Sequence, residues 1–266
     1  RNHLEYSKEY PGMIIASHNT AYLAAKIAPY VYQVTKDEAG VNLPQKLYDA
    51  RYHSLTWQQS AAYDEAKWWL LERIADEDSN EDLYIFQLFS ALQQIVSGFW
   101  NKRFGPGNHQ FQEYEEVRSD VLMATVAGLP VGEKCIIWCK YRYSIEKINT
   151  LLSAEYGNDS VALFYGDINE DDRNKNVDRF RQSSRFFLAT HSCGGHGLTL
   201  NEAAYTIHYE NVFKYSERQQ ADDRNHRIGQ SRKPTYIDIW GDCGIERRIA
   251  KALREKGNAA DSFRRE

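Results

Sequence analysis

The sequence has no long apolar run: none approaches the ~18–20 residues that a membrane-crossing helix needs. Its opening, RNHLEYSKEYPG, is polar and has no secretory core, and it lacks an initiator Met. The chain is therefore expected to be a fragment of something longer. With 4 cysteines in 266 residues it is not a disulfide-stapled miniprotein. There is no internal repeat and no low-complexity tract. Charge is nearly balanced: 33 basic against 37 acidic residues give a net charge of −4. That excludes a wholesale basic coat but leaves room for a local phosphate-binding patch.

What is present is a globular composition. Apolar residues make up 42% and charged residues 26%, which excludes disorder of the whole chain and a collagen-like repeat. The length suits one large domain or two small ones. Aromatics reach 13%, with 18 Tyr and 6 Trp, so buried or stacking rings are plentiful. Cys135 and Cys139 lie in CIIWC, which reads as a buried strand with both thiols on one side of the pleat. Zinc pairs usually sit on a tight turn, so buried reduced thiols and a reducing cytoplasmic setting are expected, with no metal site.

Elements follow from periodicity. TAYLAAKIAPYVYQVT (20–35) reads as helical up to Pro29 and extended after it. KLYDARYHS (46–54) alternates as a strand does. Thr56 with Gln59 three residues on is a capping-box pattern, opening a helix over 57–74. A second helix is expected over 82–98, a loop over 101–109 and a third helix over 111–128. After Gly132 strands and helices alternate. Strands are expected at 135–139, 160–165, 185–190, 205–209 and 235–240. Helices are expected at 142–155, from the Asn169 cap to Arg181, at 216–228 and at 244–256. This alternation, with near-continuous apolar strands, specifies a parallel sheet covered on both faces. Ligands of such sheets bind at the carboxyl ends of the strands.

The candidate chemistry begins with a further absence. No Gly is followed by Lys, so the G-x-x-x-x-G-K-[ST] phosphate cradle does not occur. DEAG (37–40) and DEAK (64–67) look like magnesium-binding acidic motifs, but neither ends an apolar strand. THSCGGHGLTL (190–200) places Gly194, Gly195 and Gly197 after a buried strand. It is not G-x-G-x-x-G, because Leu200 stands where the third Gly belongs. Two readings stay open: a tight turn needing positive φ, or bare amides approaching a phosphate. In QADDRNHRIGQ (220–230), Gln220, Arg224 and Arg227 share one face if the segment is helical. That face is either simply solvated, or it presents two guanidiniums to a transferring phosphoryl group.

QADDRNHRIGQ resembles motif VI of the Swi/Snf-type branch of the superfamily-two helicases, which reads roughly Q-A-x-x-R-x-H-R-I-G-Q. TxxxGGxGLxL (190–200) resembles that family's motif V, and KCIIWCKY (134–141) its motif IV. YGDINEDDRNKNVDRF (165–180) is similar to the intervening stretch through Gly166, Arg173 and Phe180. GIERRIAKALREK (244–256) resembles the helix after motif VI, and residues 43–66 the link between the family's two motor lobes. The likeness covers about 43–256. The chain departs from the pattern at Thr199, where Asn is usual, and at His191–Ser192–Cys193, where Arg and small residues are common. Its 210–219 stretch lacks the usual W-N-P and has the texture of bacterial or phage versions.

The resemblance implies an α/β fold: a RecA-like parallel sheet sandwiched by helices, the helicase C-terminal lobe, over 132–266. A strand plus helical protrusion would fill 46–131, and 1–45 would be the end of, or linker from, an absent N-terminal lobe. It implies a DNA-dependent ATPase that translocates on double-stranded DNA, with ATP and Mg2+ held mainly by the N-terminal lobe, so that this chain alone is inactive. Arg227 would be the arginine finger, Arg224 a second phosphate contact, and Gln220 their orienting group or nucleotide sensor. Gly197 and Thr199 would lie at the nucleotide edge. Thr190, His191, Ser192, Gly194, Gly195 and Gly166 would meet nucleic-acid phosphates. The helical protrusion would offer a site for DNA or a protein partner, through Trp68, Trp69 or Trp100. No membrane partner is implied. The setting would be cytoplasmic and nucleoid-associated in a bacterium or phage-infected cell, nuclear in a eukaryote. Residues 206–266 hold 13 basic and 10 acidic residues, against 20 and 27 in the rest, an asymmetry in the direction a phosphate-binding lobe needs. Two other readings remain: a binding module that keeps the fold without hydrolysis, and an unrelated α/β nucleotide enzyme.

Overall fold

A computed structural model describes residues 4–6, 14–17, 22, 25–26, 28–30, 42–74, 81–105, 108–195 and 197–265. The chain divides into two compact units, residues 1–42 with 258–266, and residues 43–257. In the first unit β1 (Leu4–Tyr6) pairs antiparallel with β2 (Ile14–Ser17). Ala28–Tyr30 forms a short 3-10 turn. Most of the helix and the extended segment expected over 20–35 lie outside the described residues, as does DEAG.

The second unit carries the sheet. Its strands are β3 (Leu47–His53), β6 (Cys135–Cys139), β7 (Val161–Phe164), β8 (Phe186–Thr190), β9 (Tyr205–His208) and β10 (Thr235–Gly241). Between β3 and β6 lie α1 (Trp57–Ile74), α2 (Glu81–Val96), the hairpin strands β4 (Phe99–Gly105) and β5 (Asn108–Glu113), and α3 (Arg118–Ala127). The later helices are α4 (Arg142–Tyr156), α5 (Glu170–Gln182), α6 (Tyr215–Asp222) and α7 (Gly244–Arg265). Among the described residues the sheet runs β3-β10-β9-β6-β8-β7, every pairing parallel.

The pleat sorts the core. Cys135, Ile137 and Cys139 face one cluster, which Leu122 and Val126 of α3 and Ile145, Ile148 and Leu152 of α4 complete. Ile136 and Trp138 face the other, with Val177 and Phe180 of α5 and Ala221 of α6. Both faces of β6 are therefore dry, which is why CIIWC and FFLAT carry no polar alternation. All four cysteines are free and buried. A third cluster joins Ala66 and Leu70 of α1 to Leu92 and Ile95 of α2, and to Trp240, Ile245 and Ile249.

Local signals decide several boundaries. Thr56 Oγ1 accepts from Gln59 N at 3.2 Å and Gln59 Oε1 accepts from Thr56 N at 3.1 Å, the expected capping box. Asn169 Oδ1 accepts from Asp172 N at 2.9 Å and opens α5.

Three expectations are corrected. The stretch expected as a loop and then a helix is an antiparallel hairpin, β4–β5, and the helix starts only at Arg118. Phe99 stacks on Phe111 and packs against Tyr143, while Trp100 packs edge-on against Trp69, so both hairpin faces are covered at its base. Second, the strand at 47–53 is not separate from the sheet of residues 132–266: it pairs with β10 along its whole length and forms the sheet's edge. Third, the helix expected over 216–228 stops at Asp222. Asp222 O accepts from the Tyr236 hydroxyl at 2.8 Å, and Arg224 O accepts from Leu200 N at 2.9 Å. These tertiary bonds claim carbonyls that the next helical turn would have used.

Candidate nucleotide and nucleic-acid site

The Gly-rich turn leaves the carboxyl end of β8. Thr190 is the strand's last residue, and His191–Gly195, including Gly194 and Gly195, form a 3-10 turn. Ser192 is exposed, and its hydroxyl donates to Thr190 Oγ1 at 3.2 Å. Gly197 is exposed with φ +57, a left-handed conformation that an L side chain rarely adopts. Gly166 is exposed in the turn after β7, the strand beside β8. At the carboxyl edge the exposed Gly166 and Ser192 thus stand on neighbouring loops, with Thr190 buried beneath Ser192's turn.

The arginine turn follows α6 and meets the far end of the same Gly-rich segment. Arg227 Nε donates to Asp223 O at 3.0 Å, and its terminal nitrogen donates to Thr199 Oγ1 at 3.2 Å and Gly197 O at 3.4 Å. Gly197, Thr199 and Arg227, assigned from two separate motifs, therefore form one cluster, and Arg224 adjoins it through its carbonyl, which accepts from Leu200 N at 2.9 Å. Arg224 is 5% exposed, and its Nε has no hydrogen-bond partner among the described residues. Burial and the neighbouring charge of Arg227 pull its pKa down, opposed by Asp223. The unspent Arg224 donor, close enough to Arg227 to feel its charge, is chemistry that can receive an anion.

Residues that sequence reasoning passed over hold this turn. Asn225 Nδ2 donates to Ala203 O at 3.3 Å and to Thr206 Oγ1 at 3.1 Å, and Asn225 Oδ1 accepts from the Tyr236 hydroxyl at 2.9 Å. His226 Nε2 donates to Pro44 O at 3.0 Å, and Lys46 pairs with Asp223 at 3.3 Å. Gln230 Nε2 donates to the carbonyls of Asn201, Ala203 and Asn225. The motif's own pattern includes His226 and Gln230 without giving them a role, and it leaves the position of Asn225 open.

Two expected site residues sit elsewhere. Gln220 is exposed on α6, and among the described residues it makes no hydrogen bond to either arginine. With the helix ended at Asp222, the three no longer share a face. His191 does not line a solvent-facing phosphate track, because it is 2% exposed. Its Nδ1 lies 3.1 Å from Cys139 O and its Nε2 3.0 Å from His208 Nδ1. His208 Nε2 lies 2.9 Å from Asp222 Oδ1, which also accepts from Arg218 Nε at 3.1 Å. Burial alone would raise the Asp222 carboxyl, but Arg218 and His208 hold it below the usual carboxylate range.

Residues 118–229 match the model of the helicase conserved C-terminal domain. This segment is a helicase C-terminal domain. The chain is 25% identical over 236 residues, 88% of its length, to an uncharacterized ATP-dependent helicase of Mycoplasma genitalium. It spans only 22–26% of the length of the first curated relatives it matches. Its fold is that of the C-terminal part of the Fun30 ATPase domain, with TM-score 0.66 at 17% identity, covering 80% of this chain and 90% of that one. It also matches the Sulfolobus solfataricus SWI2/SNF2 ATPase core in complex with dsDNA, with TM-score 0.63 at 23% identity, over 90% of this chain and 50% of that one. At these identities the likeness is one of fold. The helicase C-terminal domain thus contains the whole Gly197–Arg227 cluster. No helix among the described residues is long and apolar enough to cross a membrane.

Proposed function

We propose that this chain is the C-terminal motor lobe of an ATP-driven translocase on double-stranded DNA. The observation that carries the reading is the pairing of Arg224 and Arg227 with the Gly-rich turn, with Arg224 Nε buried and unspent. The residues fit a nucleotide phosphate: an anion entering there meets two guanidiniums at once, and Arg224 gains the partner it lacks. Arg227 acts as the arginine finger, and Arg224 is the second phosphate contact. Gly197 and Thr199 border the nucleotide. ATP is held between this lobe and an N-terminal RecA-like lobe that carries the phosphate cradle. Mg2+, bound by that other lobe, supplies charge neutralisation on the phosphate oxygens.

Thr190, Ser192, Gly194, Gly195 and Gly166, at the carboxyl edge, grip backbone phosphates of duplex DNA, which carries no sequence code. Closure of the two lobes on ATP and their reopening after hydrolysis alternate the grip. The α1–α2 protrusion, whose Trp57, Trp68 and Phe86 are exposed, is the surface free for a protein partner.

The test is ATP hydrolysis by the whole protein containing this lobe, with and without duplex DNA, beside its Arg227→Ala variant. Duplex-stimulated hydrolysis that falls by roughly 10³-fold or more in the variant supports the finger role. Duplex binding without hydrolysis in the unaltered protein refutes it and leaves a binding module.

A further inference from the structure

A continuous buried chain of polar groups joins the two ends of the proposed site through the interior. It starts at Cys139 O, at the end of β6, and passes through the rings of His191 and His208 to Asp222, the last residue of α6. Both rings are buried, at 2% and 0% exposure. Beyond Asp222 it continues to Arg218, which also donates to Asp238 of β10 at 2.6 Å. At its other end the Gly-rich segment is tied to the same place, by Leu200 N to Arg224 O and by Arg227 to Thr199. The Gly-rich turn is thus fastened to the arginine turn at both of its ends, once on the surface and once inside.

The inner fastening has a proton count. His208 Nε2 faces a carboxylate oxygen, so that contact needs an N–H. His191 Nδ1 faces a carbonyl oxygen, so that contact needs another. The middle contact, His191 Nε2 to His208 Nδ1, needs a third. Two neutral imidazoles carry two ring protons between them. With two, one of the three contacts sets lone pair against lone pair at 2.9–3.1 Å. With three, every contact is a hydrogen bond. The charges around the rings then balance: one imidazolium and Arg218 against Asp222 and Asp238.

We propose that His191 and His208 are positioning residues for Arg224 and Arg227, and that the number of protons on the pair sets how tightly the arginine turn is held to the Gly-rich turn. This rests on the arginine reading above for its functional meaning, though not for its test. The groups facing the pair are Asp222 and Arg218 from α6, Asp238 from β10, the Cys139 carbonyl from β6 and the Trp138 ring, 5.8 Å from His191. Burial and then Arg218 hold the His208 ring's affinity for a proton below the ordinary 6.5. Burial, His208 and Arg218 do the same for His191, and Asp222 opposes in both. The third proton therefore enters below pH 6.5, and the link tightens as pH falls through that midpoint.

The experiment follows the ring nitrogens of histidine and the Nε–H signals of arginine by NMR in the 15N-labelled 266-residue chain, from pH 8 to the onset of acid unfolding. The expected result is one midpoint below 6.5 shared by His191, His208, Arg224 and Arg227. In His208→Gln the arginine signals lose that titration, and in Asp222→Asn they lose it as well. Arginine signals that stay fixed while the rings titrate, or that titrate unchanged in His208→Gln, overturn the proposal, as does the absence of any shared midpoint. Should His208→Gln fail to fold, the coincidence of midpoints in the unaltered chain decides. An Arg227→Ala variant with undiminished hydrolysis would sink the finger role and leave this coupling intact.

Discussion

His53 makes the stability of this domain sensitive to acid. It ends β3, is 5% exposed, and its Nε2 accepts a hydrogen bond from Arg118 Nε at 3.0 Å while its Nδ1 donates to Ser54 O at 3.2 Å. Both ring nitrogens are committed in the neutral form, and a second ring proton would point at a guanidinium. Burial, and then the charge of Arg118, lower the His53 pKa from 6.5 to about 4. In the unfolded chain the ring binds its proton normally, so the unfolded state holds more protons between those values. The stability linked to His53 is therefore intact above 6.5 and is lost as pH falls toward 4. At about 1.4 kcal/mol for each pKa unit the full loss is about 3 kcal/mol, and roughly 2 kcal/mol of it has gone by pH 5. Against a typical total of about 5–15 kcal/mol that is easily measured. Urea unfolding followed by tryptophan fluorescence at pH 8, 6.5 and 5 reads it, with His53→Gln as the comparison. Gln keeps an acceptor for Arg118 and does not titrate. His191 and His208 add to the acid-side loss in both proteins, so the difference between them isolates His53. Equal pH dependence in the two proteins would refute the reasoning, as would a wild-type stability that rises toward pH 5.

Two further substitutions test how the lobe is fastened. Arg118 is fully buried, pairs with Glu246 of α7 at 2.9 Å and donates to Tyr209 O at 3.1 Å. Glu246→Gln removes that guanidinium's ion-pair partner, leaving Glu210 as the carboxylate acting on it, and is expected to cost about 3 kcal/mol in urea unfolding. Gly98, at φ +90, opens the hairpin, and an added Cβ would lie 2.6 Å from Glu116 Cγ. Gly98→Ala is expected to cost about 1–3 kcal/mol, read as a lower midpoint with unchanged denaturant slope.

The sheet was legible because it is dry on both faces. Unbroken apolar runs such as CIIWC and FFLAT have few other homes, and the Thr56–Gln59 and Asn169 caps fixed two helix starts from side-chain chemistry alone. The hairpin was not legible, for a related reason. Phe99 and Phe111 pack on Tyr143 while Trp100 packs on the other face, so the polar–apolar alternation that announces a strand is blurred. The early end of α6 was hidden as well, because Tyr236 and Leu200 impose it from 14 and 24 residues away. His191 misled because a histidine at a strand end looks solvent-facing until His208 is placed beside it. Gly197, Thr199 and Arg227 do lie together, since the turn chemistry of their two motifs does not depend on the helix.

Arg224 is the residue that separates a merely solvated charged face from the proposed anion site. A solvated face does not bury Asn225 completely, or leave Gln230 and Arg224 only 5% exposed. Nor does a turn held only for structure gain from a buried guanidinium whose Nε finds no partner beside a second positive charge. Removing that donor relieves an unsatisfied group worth about 1–3 kcal/mol, offset by whatever packing the stem supplies. Arg224→Met keeps the stem. It is therefore expected to unfold at the same or higher urea concentration than the unaltered chain, while hydrolysis by the whole protein containing it falls sharply. A variant that loses stability and activity together would make Arg224 a structural residue and would move the phosphate contact elsewhere.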